Sequence, residues 1–280
     1  GYNIIKKGGE PMIIRPAYIE AVRPFMDQPL VKILAGVRRC GKSTIFEMLA
    51  DEFRRRGIPE DHIIQKRYTE MDIPADISAK DMYDELKAQI QGKGRCYLLL
   101  DEIQEVKGWE KAVNSLLEGA DVDIYVTGSN SKLMSSEIST YLTGRYVSIP
   151  VYPLSFREFL DFKAGDPPPV KELLEDYIRF GGFPIIALGS YDAQSAYQIV
   201  NGIYHTVISR DIVKRHRINK QDLFDRVVKY LMENMGKTFS ASSITKFLRN
   251  EHRTVSVESI YNYLRWLEQA FIIYPCHRYD

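Results

Sequence analysis

The chain has 280 residues, with 38 Lys/Arg against 37 Asp/Glu, 45% hydrophobic and 27% charged residues, which excludes a disordered or fibrous chain and fits a globular one with room for two domains. No apolar run approaches membrane-spanning length, and Gly1-Tyr-Asn-Ile-Ile-Lys-Lys has no signal-peptide core. Three cysteines (Cys40, Cys96, Cys276) without paired spacing, and five scattered histidines, argue against a disulfide framework or a zinc site and fit a reducing cytoplasm. Gly1, where an initiating Met would stand, points to a processed or engineered start.

Residues 16–27 have the period of a short amphipathic helix, leading into an apolar strand at 30–35. A helix follows from about 44 to Arg56, stopped by Gly57-Ile-Pro. A strand at 62–69, a helix at 79–91, a strand at 96–101, a helix at 109–118 and strands at 123–127 and 146–152 come next. This alternation predicts a doubly wound parallel sheet, an α/β core of the P-loop αβα type. Asp166-Pro-Pro-Pro169 reads as a stiff linker, after which the period is helical: 170–180, 190–214, 223–235, 241–248 and 257–268, then a strand at Phe271–Tyr274. The division expected is a core over 1–165, a helical lid and connector over 166–219, and a winged-helix-like domain over 220–280. Its apolar stripe is Leu223, Val227, Tyr230, Leu231, Ile244, Phe247, Leu248, Ile260, Leu264 and Leu267, with Ser240 and Ser256 as helix caps.

Between the first strand and its helix stands Gly36-Val37-Arg38-Arg39-Cys40-Gly41-Lys42-Ser43-Thr44, a full phosphate-binding P-loop pattern in the context it requires. Gly36 and Gly41 let backbone N–H groups turn around a phosphate, and the helix start adds partial positive charge. Lys42 is the candidate for the β- and γ-phosphates, and Ser43 for Mg²⁺. Arg38 and Arg39 can pair with phosphate or with a partner's carboxylate, whereas Cys40 reads as a small filler. The apolar run Tyr97-Leu-Leu-Leu ends in Asp101-Glu102 at the edge where ligands of such sheets gather. Asp101 is the candidate second metal group and Glu102 the candidate general base. The next strand ends in Thr127-Gly128-Ser129-Asn130, where Ser129, or Asn130 after it, can touch a γ-phosphate and the attacking water, or cap a helix.

The ordered set of motifs resembles a prokaryotic family of AAA-type ATPases that carry a C-terminal domain of unknown function: the P-loop, Leu-Leu-Leu-Asp-Glu-Ile-Gln104, Val-Thr-Gly-Ser-Asn130, Leu-Thr-Gly-Arg-Tyr146, Pro-Leu-Ser-Phe-Arg-Glu-Phe159 and Phe-Gly-Gly-Phe-Pro184. The resemblance covers nearly the whole chain. It implies a nucleotide-binding core, a helical lid and a winged helix, with ATP and Mg²⁺ as ligands. It puts Ser129 and Asn130 at the sensor 1 position, and makes Arg145 either an arginine finger toward a neighbouring subunit, hence a possible homo-oligomer, or a solvated turn residue. The chain also resembles STAND-type signalling ATPases, where a Gly-x-Pro motif packs on adenine; Pro184 is then an adenine contact, or simply a helix breaker. Such proteins continue beyond Arg278-Tyr-Asp280 into a further domain, often nuclease-like, so the chain reads as a truncated piece.

Three functions compete: an ATP-hydrolysing switch or motor acting on a C-terminal effector, an ATP-controlled DNA-binding regulator, and a nucleotide-locked scaffold. From Lys214 to Asp280 there are twelve Lys/Arg against seven Asp/Glu, a basic surplus of 5. The exposed side of the last helix (Ser256, Glu258, Ser259, Asn262, Arg265, Glu268) is nevertheless a poor phosphate-seeking surface. The favoured role of the C-terminal part is therefore packing or contact with a protein partner, with only weak, non-specific DNA affinity. Glu102 argues against a pure scaffold, which has no need of a general base.

Overall fold

The computed structural model describes residues 5–276, apart from 8, 9, 13, 72, 75, 131, 132, 134, 135 and 164–167. The linker at 166–169 and the terminus at 278–280 thus lie partly or wholly outside the described residues. The chain forms two compact units that divide between Val200 and Asn201.

The first unit opens with a short antiparallel pair, β1 (Ile5–Lys7) and β2 (Glu10–Met12). Helix α1 (Pro16–Val22) and a 3₁₀ turn (Arg23–Phe25) lead into the main sheet. That sheet has five parallel strands, β3 (Val31–Ala35), β4 (Ile63–Arg67), β5 (Cys96–Asp101), β6 (Val122–Gly128) and β7 (Tyr146–Pro150), in the order β4-β5-β6-β3-β7. The three inner strands, β5, β6 and β3, are buried along their whole length, which is why they read as near-continuous apolar runs. The edge strands β4 and β7 are only partly buried. One lysine, Lys32, interrupts the apolar run of β3. It is fully buried and satisfied by the Asp123 carboxylate and the Gln28 carbonyl (2.9 Å), while Tyr125 also donates to Asp123 (2.7 Å).

The helices between the strands are α2 (Lys42–Arg55), α3 (Ala79–Ile90), α4 (Trp109–Gly119) and α5 (Ser136–Tyr141). Helix α3 begins in a capping box formed by Ser78 and Asp81. Beyond β7, helices α6 (Phe156–Phe162), α7 (Val170–Phe180), α8 (Pro184–Leu188) and the start of α9 (Ala193–Thr206) gather around Leu154, Phe159, Leu173, Phe180, Ile186, Ala187 and Ala196. Ser155 and Glu158 form the capping box that starts α6.

In the second unit a π-helical turn (Val207–Lys214) continues α9, and α10 (Gln221–Glu233), α11 (Ala241–Asn250) and α12 (Val257–Gln269) pack on one another. Phe224 is buried with its ring edge-on to Tyr263, centroids 5.3 Å apart. Of the expected stripe, Leu223, Val227, Leu231, Ile244, Leu248, Ile260 and Leu267 are buried, while Tyr230, Phe247 and Leu264 are half-buried at its margin. Ser240 and Ser256 cap α11 and α12 by accepting from Ser243 N and Ser259 N, each at 3.1 Å.

One expectation needs correction. Residues 271–274 are turn and loop rather than a strand: Phe271 has a left-handed φ of 58° and its N–H closes onto Glu268 O (2.9 Å), so the segment finishes α12 instead of extending. The boundary between the two compact units falls within α9, inside the stretch read as lid and connector over 166–219. Among the described residues, no helix is long and apolar enough to cross a membrane.

Candidate functional site

Parallel strands deliver their last residues to one edge of a sheet, and β3, β5 and β6 bring the P-loop, Asp101-Glu102 and Ser129-Asn130 to that edge together. Gly36 leaves β3 with its N–H on Gly128 O (3.2 Å). A Cβ on Gly36 would lie 1.9 Å from Val151 O, so no larger residue passes. Val37 is buried, Arg38 half-buried and Arg39 exposed at a left-handed φ of 66°. Cys40 is buried with Sγ 3.4 Å from Val151 O, and burial pushes its thiol pKa up, against smaller lowering effects of Lys42 and Arg15. Its place is that of a packed filler.

Gly41, at φ 102°, starts α2 without any side-chain cap, which leaves the first helical N–H groups for an anion. Lys42 is buried, and its ammonium donates to Gly36 O (2.9 Å) and Val37 O (3.1 Å) while standing 3.9 Å from Glu102 Oε1. The loop is thus folded around its own lysine. Ser43 Oγ donates to Asp101 Oδ2 at 2.7 Å, and Thr44 is half-buried one residue further along α2.

The Asp101 carboxylate is buried. One oxygen accepts from Thr127 Oγ1; the other accepts from Ser43 and from Arg67 Nε (3.1 Å). Thr127 Oγ1 also receives the N–H of Glu102 (3.0 Å). Glu102 has a left-handed backbone (φ 53°, ψ 46°), a conformation that costs a non-glycine residue about 1–3 kcal/mol and that clusters at functional sites. Its carboxylate accepts a hydrogen bond from the Gln104 amide. Ser129 and Asn130 are both buried, and among the described residues Ser129 Oγ has no hydrogen-bond partner; neither has Gln104 Oε1. Orphaned buried polar atoms are uncommon and call for a ligand or ordered water.

Pro184 comes to the same place from α8. Gly182 approaches the chain at Leu154, accepting from its N–H at 2.6 Å, and a Cβ there would meet Leu154 O at 2.2 Å. This contact fixes the Phe-Gly-Gly-Phe-Pro turn. Pro184 then opens α8, where its missing N–H costs nothing, and its Cγ lies 3.7 Å from where a Cβ on Gly41 would be. It is therefore both a helix-starting residue and a neighbour of the P-loop.

Arg145 is not brought to this edge. It precedes β7 at the opposite end of the sheet, about 17 Å from its own P-loop by strand rise. It is ion-paired with Glu118 and donates to Asn114 Oδ1 (2.9 Å) and Thr143 Oγ1 (3.1 Å).

Four residues of the site carry no assigned role in the sequence reading. Arg15 is buried just ahead of α1 and donates to the carbonyls of Cys40 and Tyr152 (3.0 Å each) and to Glu158 (2.7 Å), which braces the back of the P-loop. Nothing local in the sequence marks it; its partner could have been found from the Ser-x-x-Glu signature at 155–158. Thr127 and Gln104 lie inside quoted motifs, and Arg67 ends a strand. Hard oxygen donors from Ser43 and Asp101, an uncapped helix start and an unpartnered Ser129 hydroxyl fit a phosphate chain with Mg²⁺.

Residues 28–160 match the family described as an AAA domain, and residues 171–280 match a domain of unknown function (DUF8612). An uncharacterized protein of Haemophilus influenzae is 34% identical over 272 residues, which cover 96% of this chain and 68% of that protein. An uncharacterized protein of Methanocaldococcus jannaschii is 30% identical over 260 residues, which cover 89% of this chain and 57% of its own length. Among solved structures, AMPPCP-bound DnaA from Aquifex aeolicus overlaps 95% of this chain and 89% of its own, at 12% identity and a TM-score of 0.40. With its P-loop, its five-stranded parallel sheet and a relative this similar along almost its entire length, the chain belongs to the prokaryotic family of AAA-type P-loop ATPases that carry a C-terminal domain of unknown function.

Proposed function

We propose that the chain binds ATP with Mg²⁺ at the P-loop, hydrolyses it, and passes the change of nucleotide state to its C-terminal unit and the effector or partner that unit serves. The observation that carries this is the convergence of Lys42, Ser43, Asp101 and Glu102 beside the unpartnered Ser129 hydroxyl.

Backbone N–H groups from Gly36 to Gly41 and the start of α2 receive the phosphates. Lys42 releases the two loop carbonyls it now holds and turns to the β- and γ-phosphate oxygens. Ser43 and Asp101 would hold the metal, which when bound would supply positive charge against the negative charge on the transferred phosphoryl group. Glu102, held through its N–H by Thr127 and through its carboxylate by Gln104, orients the attacking water and takes its proton. Ser129, with Asn130 beside it, contacts the γ-phosphate and that water, and Pro184 packs on the base. Given its distance from its own P-loop, Arg145 acts as a finger only from a second copy, in a homo-oligomer.

In this reading the helices around Leu154 and Phe180 form a lid, and α10–α12 are the helical part of a winged helix, although no strand accompanies them among the described residues. A DNA-reading role for α12 fits less well, because its accessible side carries Glu258 and Glu268 beside a single Arg265, itself hydrogen-bonded to Asn262 (2.6 Å). Three free cysteines fit a reducing cytoplasm. The test is Mg²⁺-dependent ATP binding and phosphate release by the purified chain. Absence of binding at millimolar ATP sinks the reading, whereas binding without release reduces it to a nucleotide-locked scaffold.

A further inference from the structure

Asp101 Oδ2 serves two groups at once: Ser43 Oγ at 2.7 Å and Arg67 Nε at 3.1 Å. We propose that Arg67 is a resident cation in the metal site, which neutralises Asp101 while no metal is present and which the divalent ion must displace. The proposal rests on the nucleotide-site reading above.

The register of the sheet creates this pair. Arg67 is the last residue of β4 and stands directly opposite Asp101 on β5, with Tyr68 N bonded to Asp101 O (3.0 Å). The Asp101 side chain is only 6% exposed, and its other partners, Ser43 and Thr127, are neutral hydroxyls. A buried carboxylate needs a positive counter-charge, and Lys42 does not supply it, being engaged with loop carbonyls and nearer to Glu102. Arg67 fills that need.

A divalent ion bound by Ser43 Oγ and Asp101 Oδ2 would occupy the corner the guanidinium now reaches, and two cations sharing one oxygen in a low-dielectric site repel strongly. Arg67 has somewhere to go. Its side chain is 45% exposed and faces a cleft that Lys66, Glu47 and Glu70 also line, Lys66 being paired with Glu85, so a released guanidinium would still stand among carboxylates there. The exchange of arginine for metal lowers the intrinsic metal affinity of the site and ties metal arrival to a movement at the end of β4.

The test measures ADP binding by calorimetry, with Mg²⁺ and with EDTA, for wild type, Arg67→Gln and Arg67→Lys, together with direct Mn²⁺ titration by electron paramagnetic resonance without nucleotide. Arg67→Gln should leave ADP affinity in EDTA unchanged and strengthen both the Mg²⁺ enhancement and the Mn²⁺ affinity about three- to tenfold, the worth of a half-exposed charge-assisted pair. Arg67→Lys, which keeps charge but not the fork and guards against a folding defect, should fall between. Equal Mn²⁺ affinity and an equal Mg²⁺ enhancement in all three proteins would overturn the proposal. So would a Gln variant that loses ADP affinity equally with and without Mg²⁺, since Arg67 would then be a phosphate ligand. Failure of ADP to bind wild type, with Mn²⁺ still tighter in the Gln variant, removes the nucleotide reading and leaves this one standing.

Discussion

The ammonium of Lys42 and the carboxylate of Glu102 stand 3.9 Å apart, one at the start of α2 and the other just past β5, while the lysine holds two carbonyls of its own loop. The two groups proposed to act on the phosphates and on the water are therefore already neighbours, and the lysine must change partners before it can serve a ligand.

Lys42→Ala should weaken Mg-ATP binding by about 10- to 150-fold, the worth of a charge-assisted hydrogen bond. The two freed carbonyls remain close to the ligand and add to the loss by repulsion. Isothermal titration against wild type decides it, and undiminished affinity would remove the P-loop assignment.

Glu102→Gln keeps the side-chain shape and loses the proton acceptor. Nucleotide affinity should stay within about twofold, while turnover falls by roughly 10²–10⁴, the usual contribution of a general base. Single-turnover hydrolysis is the measurement, and wild-type rates in this variant would assign the base elsewhere.

Arg145→Ala should slow hydrolysis without weakening ATP binding, and the deficit should grow with protein concentration as copies assemble. Glu118→Gln is the control, because it breaks the same ion pair and leaves the guanidinium in place. If Glu118→Gln reproduces the defect, Arg145 holds the corner between α4 and β7 and is no finger.

The Glu158 carboxyl is driven upward by burial but more than compensated by Arg15, by the Ser155 backbone and hydroxyl, and by the nearby guanidinium charge, so its pKa lies below the ordinary 4.5. A carboxylate whose folded pKa is depressed contributes stability that is complete above its unfolded value and lost as pH falls through the folded one. Glu158→Gln should therefore destabilise the chain by about 1–3 kcal/mol at neutral pH, with the gap to wild type closing progressively below about pH 4.5. Urea melts across that range test the sign; a gap that widens in acid contradicts the pairing.

Binding of duplex DNA by the chain should be weak, indifferent to sequence and strongly reduced by salt, since the basic residues Lys214, Arg215, Arg217 and Lys220 precede α10 and α12 shows carboxylates. Fluorescence anisotropy at two salt concentrations reads this directly. Sequence-specific affinity that survives physiological salt and disappears in Arg265→Ala would favour the DNA-regulator reading.

The core was legible because its signals are local. An all-apolar run such as Tyr97–Leu100, in a chain of alternating strand and helix patterns, reads as an inner strand, and the P-loop and Asp101-Glu102 follow their strands immediately. Ser240 and Ser256 announced their helices in the same way. The β1–β2 pair, three residues a side, is too short for any period to register. Phe271–Tyr274 misled because an apolar run after a helix can finish that helix as easily as start a strand. What the sequence hides is long-range pairing: Arg15 with Cys40 O and Glu158, Arg67 with Asp101, and Thr127 with Asp101 each depend on register or on distant segments. For the same reason Pro184 and Gly41, far apart in the chain, met only in three dimensions.

The position of Arg15 also bears on how the protein can be cut. The AAA domain match begins at residue 28, after Arg15 and the whole of α1. A fragment trimmed to that boundary would keep every recognisable nucleotide motif and still lose the guanidinium that ties the P-loop to α6. It would leave the Glu158 carboxylate without its cation and the Cys40 and Tyr152 carbonyls without their donor. Domain boundaries drawn from motifs alone would thus yield a soft loop, and a fragment meant for binding studies should start upstream of residue 15.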